Sequence, residues 1–438
     1  MGETTGSNHD AGHVRVALRS SQLFTNSRQI GKFGPMLPFD SSVMAEPSRL
    51  EADIKLCSAN EAAAIPQYLT SKWQQKMTAI TSSLKTAIIE NFGTPCPVID
   101  LDIVERNIAR VQNLCDAAGV ANRPHIKTHK SPIIAKMQIA AGALGITCQK
   151  LGEAEVMADA GITDIIIATN LLGAARSGRL ATLQGRVALK VCADNPVSLA
   201  AYAQAASQAG RIMDVMIECD TGQKRAGVET PQEAIALAQM IRDEDWLNFA
   251  GLLFYPPLDG WPRTQTFFDE TRAGLASLGI TPEIVSTGGT PNLVNIGKLN
   301  GTTEHRAGTC VFNDMMMVEA EVATLDDCAF QVFTSVVSRA GDERGILDAG
   351  SKTLTSDTGG LDGFGRVLEH PNARIHKFAE EHGFLDLTRC NDKPSVGDIV
   401  RVIPNHVCVA VNMVDQLIAV RDNKIIDVIP VAARGMLV

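Results

Sequence analysis

RVALKVCADNPVSLAAYAQAASQAGRIMDVMIECD, residues 186–220, decides the fold. It opens with an apolar run of strand length, RVALKVCAD (186–194), continues through the Ala-rich helical stretch NPVSLAAYAQAASQAG, and closes with a second apolar run, MDVMIECD (213–220). A strand, a crossover helix and a second strand make a parallel pair.

The same alternation extends in both directions. Upstream stand RPHIK (123–127), LGITCQK (144–150) and DIIIATN (164–170); downstream stand FAGLLFYP (249–256), EIVSTGG (283–289) and HRAGTCVF (305–312). Helical stretches such as SPIIAKMQIAAGA, GEAEVMADAG, TPQEAIALAQMIRDE and TFFDETRAGLASLG separate them. Eight strands with crossover helices is the number that closes a (β/α)8 TIM barrel. An open doubly wound sheet fits less well, because no GxGxxG follows the first strand.

After about residue 316 the helical stretches nearly vanish. Alternating runs such as QVFTSVVSRAG and DIVRVIPNHVCVAVN, separated by turn signals such as GDERG and RDNK, predict an all-β domain. The domain plan is therefore an N-terminal extension (1–60) expected to be disordered or a targeting segment, a helix within 61–92, a barrel over 93–316 and a β domain over 317–438. The strand CPVID (96–100) precedes the barrel and is a candidate to join the β domain.

The chain has 438 residues, 45% of them hydrophobic and 20% charged, with a formal net charge of −9. That balance argues against nucleic acid or an anionic membrane surface as the main partner. No apolar run reaches the length of a membrane span. The ten cysteines form no CxxC pair, which favours a reducing compartment such as the cytoplasm over a disulfide framework. Arg15, Arg19, Arg28 and Lys32 lie among few acids, and an organelle transit segment is the alternative.

In such a barrel, chemistry gathers where strand C-termini line one mouth. Lys127 ends the first strand, within the cluster Arg123-Pro124-His125-Ile126-Lys127-Thr128-His129-Lys130. A desolvated lysine near other cations is a good amine nucleophile, which points to a Schiff-base lysine and to pyridoxal 5'-phosphate as its aldehyde. Gly288, Gly289 and Thr290 after the seventh strand suit a phosphate, since adjacent glycines let backbone N–H groups come close. His125 and Gln149 are further candidates to hold the cofactor. Tyr255 either stacks on its ring or caps the barrel mouth, and Arg225 either faces the ring nitrogen or pairs with Asp220. His129 and Lys130 are read as neighbours that tune Lys127 or hold the cofactor. In PNHVC (404–408), read as strand, His406 and Cys408 project to one face and form half of a zinc-type site.

Taken together, GTPCPVIDLD (93–102), RPHIKTHK (123–130), CQKLGEAEV (148–156), ECDTGQKRAGV (218–228), STGGTPN (286–292), LDAGSKTLTSD (347–357), EEHG (380–383) and PNHVC (404–408) resemble one family. It is the pyridoxal-phosphate enzymes with an alanine-racemase-type barrel and a D-serine-dehydratase-like C-terminal domain, which includes D-threonine aldolases and eukaryotic-type D-serine dehydratases. The resemblance implies that Lys127 is the Schiff-base lysine and that Gly288, Gly289 and Thr290 lie near the phosphate. It also implies that His406 and Cys408 bind a divalent metal, zinc ahead of manganese, and that the protein is a homodimer whose sites are completed by the partner. The expected activity is lyase chemistry on a D-3-hydroxy amino acid. Dehydration of D-serine or D-threo-3-hydroxyaspartate is favoured, because the metal pair is HxC and the loop YPPLDGWP (255–262) has no histidine. Aldol cleavage remains the alternative, with His129, His305 or His382 as its base; a racemase and a non-catalytic pyridoxal-phosphate carrier are more distant alternatives.

Overall fold

The computed structural model describes residues 80–438. The expected N-terminal extension, and the part of the expected 61–92 helix before residue 80, lie outside the described residues. Ser82–Phe92 is helical (α1), with Thr81 capping its start through the Leu84 N–H.

Eight parallel strands run in the order β2 (Ala121–Asn122), β9 (Glu304–Arg306), β8 (Ile284–Gly288), β7 (Leu247–Phe254), β6 (Met213–Cys219), β5 (Ala188–Ala193), β4 (Asp164–Ile167), β3 (Ile146–Cys148). The ring closes where His125, just beyond β2, bridges Thr147 in β3. The first barrel strand is therefore shorter than RPHIK suggests. Pro124 has no N–H to give the ladder, so regular pairing stops before it and resumes as an isolated bridge.

The crossover helices start where local chemistry says they should. Asn195 caps the helix Pro196–Ala209 through the Ser198 N–H, and Thr230 with Glu233 forms a capping box at Pro231–Arg242. In both, proline takes a first-turn position where no N–H is needed.

The second sheet has nine strands, in the order β11 (Arg344–Leu347), β14 (Gly383–Asp386), β13 (Arg374–Phe378), β12 (Arg366–Val367), β15 (Ile399–Ile403), β10 (Phe330–Arg339), β1 (Cys96–Asp100), β16 (Gln416–Arg421), β17 (Lys424–Pro430). An extra pairing of β10 with β11 curls one end of it. CPVID is β1, lying antiparallel to β10 and parallel to β16. Barrel and β domain share a core in which Val104 and Ile134 meet Phe312, Phe330 and Val407.

PNHVC is not a strand. Pairing in β15 ends at Ile403, Pro404 follows, and Val407–Asn412 is a short helix with His406 at its N-cap. The alternation of apolar residues across 399–411 runs through this break, which is why the segment resembled one long strand.

Charged groups cross the barrel interior. Arg123, 1% exposed, binds Glu304 (2.6 Å) and Asp164 (2.7 Å). Glu304 binds the Ser286 hydroxyl (2.6 Å), and Ser286 in turn accepts from Arg306. Removing one member of a buried ion pair leaves its partner charged and desolvated. Arg123→Ala is therefore expected to lower stability by about 3–5 kcal/mol, measured by urea unfolding.

Candidate active site

At the C-terminal mouth of the barrel lies a cavity of about 200 Å³. Its lining includes each of the residues expected to hold a cofactor or metal: His125, Lys127, Gln149, Arg225, Tyr255, Gly288, Gly289, Thr290, His406 and Cys408.

Lys127 sits in the turn that follows the His125 bridge, and that turn is closed by the Lys130 N–H donating to Ile126 (2.8 Å). Among the described residues its Nζ has neither an ion pair nor a hydrogen bond, whereas Lys130 Nζ is locked to buried Glu153 at 2.9 Å. Lys130 is therefore structural and does not reach the cavity. His129 is also withdrawn: it is fully buried, within 3.2 Å of Gln138, and burial pushes its pKa down to about 4. The period of the KTHK turn, with Lys130 at φ +50°, sends these two side chains inward, away from Lys127.

His125 Nδ1 accepts from the Lys127 N–H (3.4 Å), which leaves Nε2 as the donor to Gln149 Oε1 (3.2 Å). Gln149 is fixed in turn by donating to the Ala168 carbonyl (2.9 Å). Burial, reinforced by the charge of Lys127, holds the His125 pKa well below its ordinary value, so the ring is neutral at physiological pH.

Glycines form another part of the cavity wall. Gly289 has φ +102°, and a Cβ there would stand 2.3 Å from the Tyr255 ring. A Cβ on Gly288 would meet the Arg306 carbonyl at 2.9 Å, and one on Gly308 would meet the His125 carbonyl at 2.8 Å. Only bare backbone fits at these three positions, and bare backbone is what a phosphate cradle requires. A lysine without a partner among the described residues, in one cavity with such a cradle, fits pyridoxal phosphate.

Arg225 does not put its side chain on Asp220. Asp220 accepts only its backbone N–H (3.1 Å), while the guanidinium lies over Tyr255 (5.2 Å to the ring centre) and pairs with Glu218 at 3.2 Å. Burial raises the Glu218 carboxyl above its ordinary pKa, although Arg225 and Arg306 pull the other way. Sequence reasoning missed Glu218 and Arg306. The signal was present: an acid near the end of the apolar strand MDVMIECD, and a cation in a three-residue barrel strand, are both expensive unless paired.

His406 and Cys408 meet at the first turn of their helix (α11, Val407–Asn412). Burial lowers the His406 pKa, but the Asp314 carboxylate and Cys408 outweigh it and raise it to about 10. Burial raises the Cys408 thiol, yet His406 and Thr128 bring it below its ordinary value. Imidazole and an acidified thiol side by side are a donor pair for a soft divalent cation. His406 Nδ1 is buried and without a hydrogen bond, lying 3.5 Å from Asp314 outside bonding geometry. Among the described residues no cluster of three or more His, Cys, Asp or Glu side chains is placed to hold a metal. The pair thus offers two ligands and leaves the rest of a coordination shell open.

None of His129, His305 and His382 lines the cavity. His305 is buried against Thr287 (3.1 Å) and the Gly289 carbonyl, and burial with the Arg306 charge lowers its pKa to about 3. His382 is exposed on the β domain. From the loop after β7, Tyr255 reaches the cavity, whereas Trp261 turns inward to Asn292 (3.2 Å).

Residues 99–315 match the family described as "Alanine racemase, N-terminal domain", and residues 329–420 match the one described as "Putative serine dehydratase domain". The chain is 35% identical over 355 residues to D-threonine aldolase of Arthrobacter sp, covering 78% of this chain and 93% of the relative. It is 33% identical over 346 residues to D-threo-3-hydroxyaspartate dehydratase of Delftia sp. (strain HT23), covering 72% and 90%. The solved D-threonine aldolase from Filomicrobium marinum superposes with a TM-score of 0.73 at 31% identity, over 79% of this chain and 96% of that one. The solved Delftia dehydratase gives 0.71 at 30% identity, over 78% and 97%. Two solved variants of D-threo-3-hydroxyaspartate dehydratase replace with alanine a histidine and a cysteine two positions apart, and the cysteine variant is in a metal-free form.

Gly289→Ala puts a methyl group against Tyr255 in a backbone region that L-residues avoid. Cofactor retention after dialysis, followed by visible absorbance, is expected to weaken by about tenfold or more, since about 1.4 kcal/mol of strain corresponds to that factor.

Proposed function

We propose that this chain, which belongs to the D-threonine aldolase and D-serine dehydratase family of pyridoxal-phosphate-dependent lyases, removes water from a D-3-hydroxy amino acid, leaving a keto acid and ammonia. D-serine and D-threo-3-hydroxyaspartate are the substrates in view. The observation that carries this reading is that the His406–Cys408 pair and Lys127 line one cavity.

Bound pyridoxal phosphate supplies an aldehyde for the substrate amine and a ring that withdraws electrons from the α carbon. A divalent metal supplies a Lewis acid for the β-hydroxyl. Lys127 is the amine that holds the cofactor and then takes the proton from the α carbon. The glycine wall of Gly288 and Gly289, with Thr290, positions the phosphate. His125, held neutral, keeps its ring in place without adding a charge beside Lys127. Arg225 lies over Tyr255, and the two would help to hold the cofactor at the cavity. His406 and Cys408 hold the metal, and the thiol donor favours zinc over manganese.

Two features support dehydration over aldol cleavage. The metal pair is His and Cys, two positions apart, as are the histidine and cysteine replaced in the dehydratase variants described above. Among the described residues, no histidine besides His125 and His406 lines the cavity to take a proton from the β-hydroxyl. A homodimer and a cytoplasmic setting belong to the same reading. In support of a reducing compartment, the nine cysteines among the described residues are all free. No helix among the described residues is long and apolar enough to cross a membrane.

The test is a product assay across D-serine, D-threonine and D-threo-3-hydroxyaspartate. Keto acid and ammonia are expected, lost with EDTA and restored by zinc. Glycine and an aldehyde would replace the proposal with aldol cleavage. Lys127→Ala is expected to lose both turnover and the visible absorbance of the bound cofactor. Cys408→Ala is expected to lose turnover and keep that absorbance.

A further inference from the structure

Two fully buried side chains touch the His406–Cys408 pair and have no other evident purpose in chemistry. The first is Asp314, N-cap of the short helix Met315–Glu319 (α9) at the end of the barrel. One of its oxygens accepts the Met317 N–H (3.0 Å), and the other accepts the Val407 N–H (2.9 Å) and lies 3.5 Å from His406 Nδ1. Val407 is the residue between the two members of the pair. The same junction is tied a second time, because the Met315 and Met316 N–H groups donate to the carbonyls of Pro404 and Asn405 (3.2 Å each). The second residue is Thr128, next in sequence to Lys127, whose hydroxyl lies 3.1 Å from Cys408 Sγ.

An imidazole that binds a metal must present one nitrogen lone pair, and it does so when the other nitrogen keeps its proton toward an acceptor. The carboxylate beside Nδ1 favours the proton on that nitrogen and leaves Nε2 for the metal. A sulfur ligand likewise must be held in one direction, and a hydroxyl at 3.1 Å holds it. We propose that Asp314 and Thr128 are positioning residues for the metal, Asp314 setting the orientation of His406 and Thr128 that of the Cys408 sulfur. Thr128 also ties the metal pair to the backbone segment that carries Lys127. The inference rests on reading His406 and Cys408 as metal ligands.

The experiment is done on the full chain loaded with cofactor. Zinc retention is measured against a competing chelator for the unaltered protein, His406→Ala, Asp314→Asn and Thr128→Val. The cobalt(II)-substituted forms are recorded alongside, since thiolate-to-cobalt absorption reports Sγ ligation. Asp314→Asn and Thr128→Val are each expected to hold zinc about 10–100-fold more weakly, with the cofactor absorbance retained and the cobalt spectrum altered. Thr128→Val keeps the side chain's shape, so it decides the Cys408 half even if Asp314→Asn does not fold; in that event Asp314→Glu, which keeps the carboxylate, is expected to recover zinc binding. A lower melting temperature with zinc retention and the cobalt spectrum unchanged would mean that the residues merely brace the fold, and would overturn the inference. If the unaltered protein and His406→Ala retain zinc equally, the metal-ligand reading itself fails; that outcome is distinct from variants that match the unaltered protein while His406→Ala does not.

Discussion

The barrel is built around a row of charges that runs from half-buried Asp164 through a buried interior to exposed Arg225 at the cavity. Starting near the strand N-termini, Asp164 binds Arg123, Arg123 binds Glu304, and Glu304 reaches Arg306 through the Ser286 hydroxyl. Arg306 then lies in the field of Glu218, which pairs with Arg225 at the cavity. Each charge is tolerable only because its neighbours have the opposite sign. The members come from β4, β9, β8 and β6 and from the segments beside β2 and β6, so a one-residue slip of any of these strands would leave a bare charge in the interior. The row thereby fixes strand register, and register decides which side chains reach the mouth.

At the mouth the same economy continues with different partners. Among the described residues Lys127 is left without a counter-ion, while its neighbour Lys130 is neutralised by Glu153. His125 is buried neutral, and the Cys408 thiol is drawn below its ordinary value by His406 and Thr128 against the effect of burial. The cavity thus gathers an unpaired nucleophile, a stretch of glycine backbone and a pair of metal-type ligands. The β domain contributes only the last of these, and it does so through a helix turn whose position is set by the barrel's own Asp314.

Much of this was legible in the sequence, and the reasons are local. The parallel barrel is readable because strands that are buried on both faces are apolar throughout, as in DIII or VMIEC, and are spaced by helices with their own start signals at Asn195 and Thr230. Lys127, Gly288 and Gly289 are readable because a lysine ending a buried strand and paired glycines ending another are costly without a ligand. What could not be read depends on partners distant in sequence. Arg225 takes Glu218 and not Asp220, a choice made by side-chain reach across the loop. The fate of Lys130 depends on Glu153 in another helix. The HxC segment looked like a strand because its apolar alternation runs on past Pro404, while the break is imposed by hydrogen bonds from Met315 and Met316.

The position of β1 has a consequence for how the molecule can be assembled. Its register pairs Cys96 with Phe333 on one side and Asp100 with Val420 on the other. The first strand of the described chain must therefore wait for β10, beyond the barrel, before one edge is satisfied and for nearly the last strand before the other is, and the whole barrel is made in between. Contacts so far apart in sequence form slowly, since loop closure costs entropy before pairing returns any. During synthesis on a ribosome, the barrel can close while β1 is still an open edge, and a chain cut after the barrel would keep that edge for good. The β domain is thus not a module appended at the C-terminus. It is a clasp whose first half is translated before the barrel it fastens.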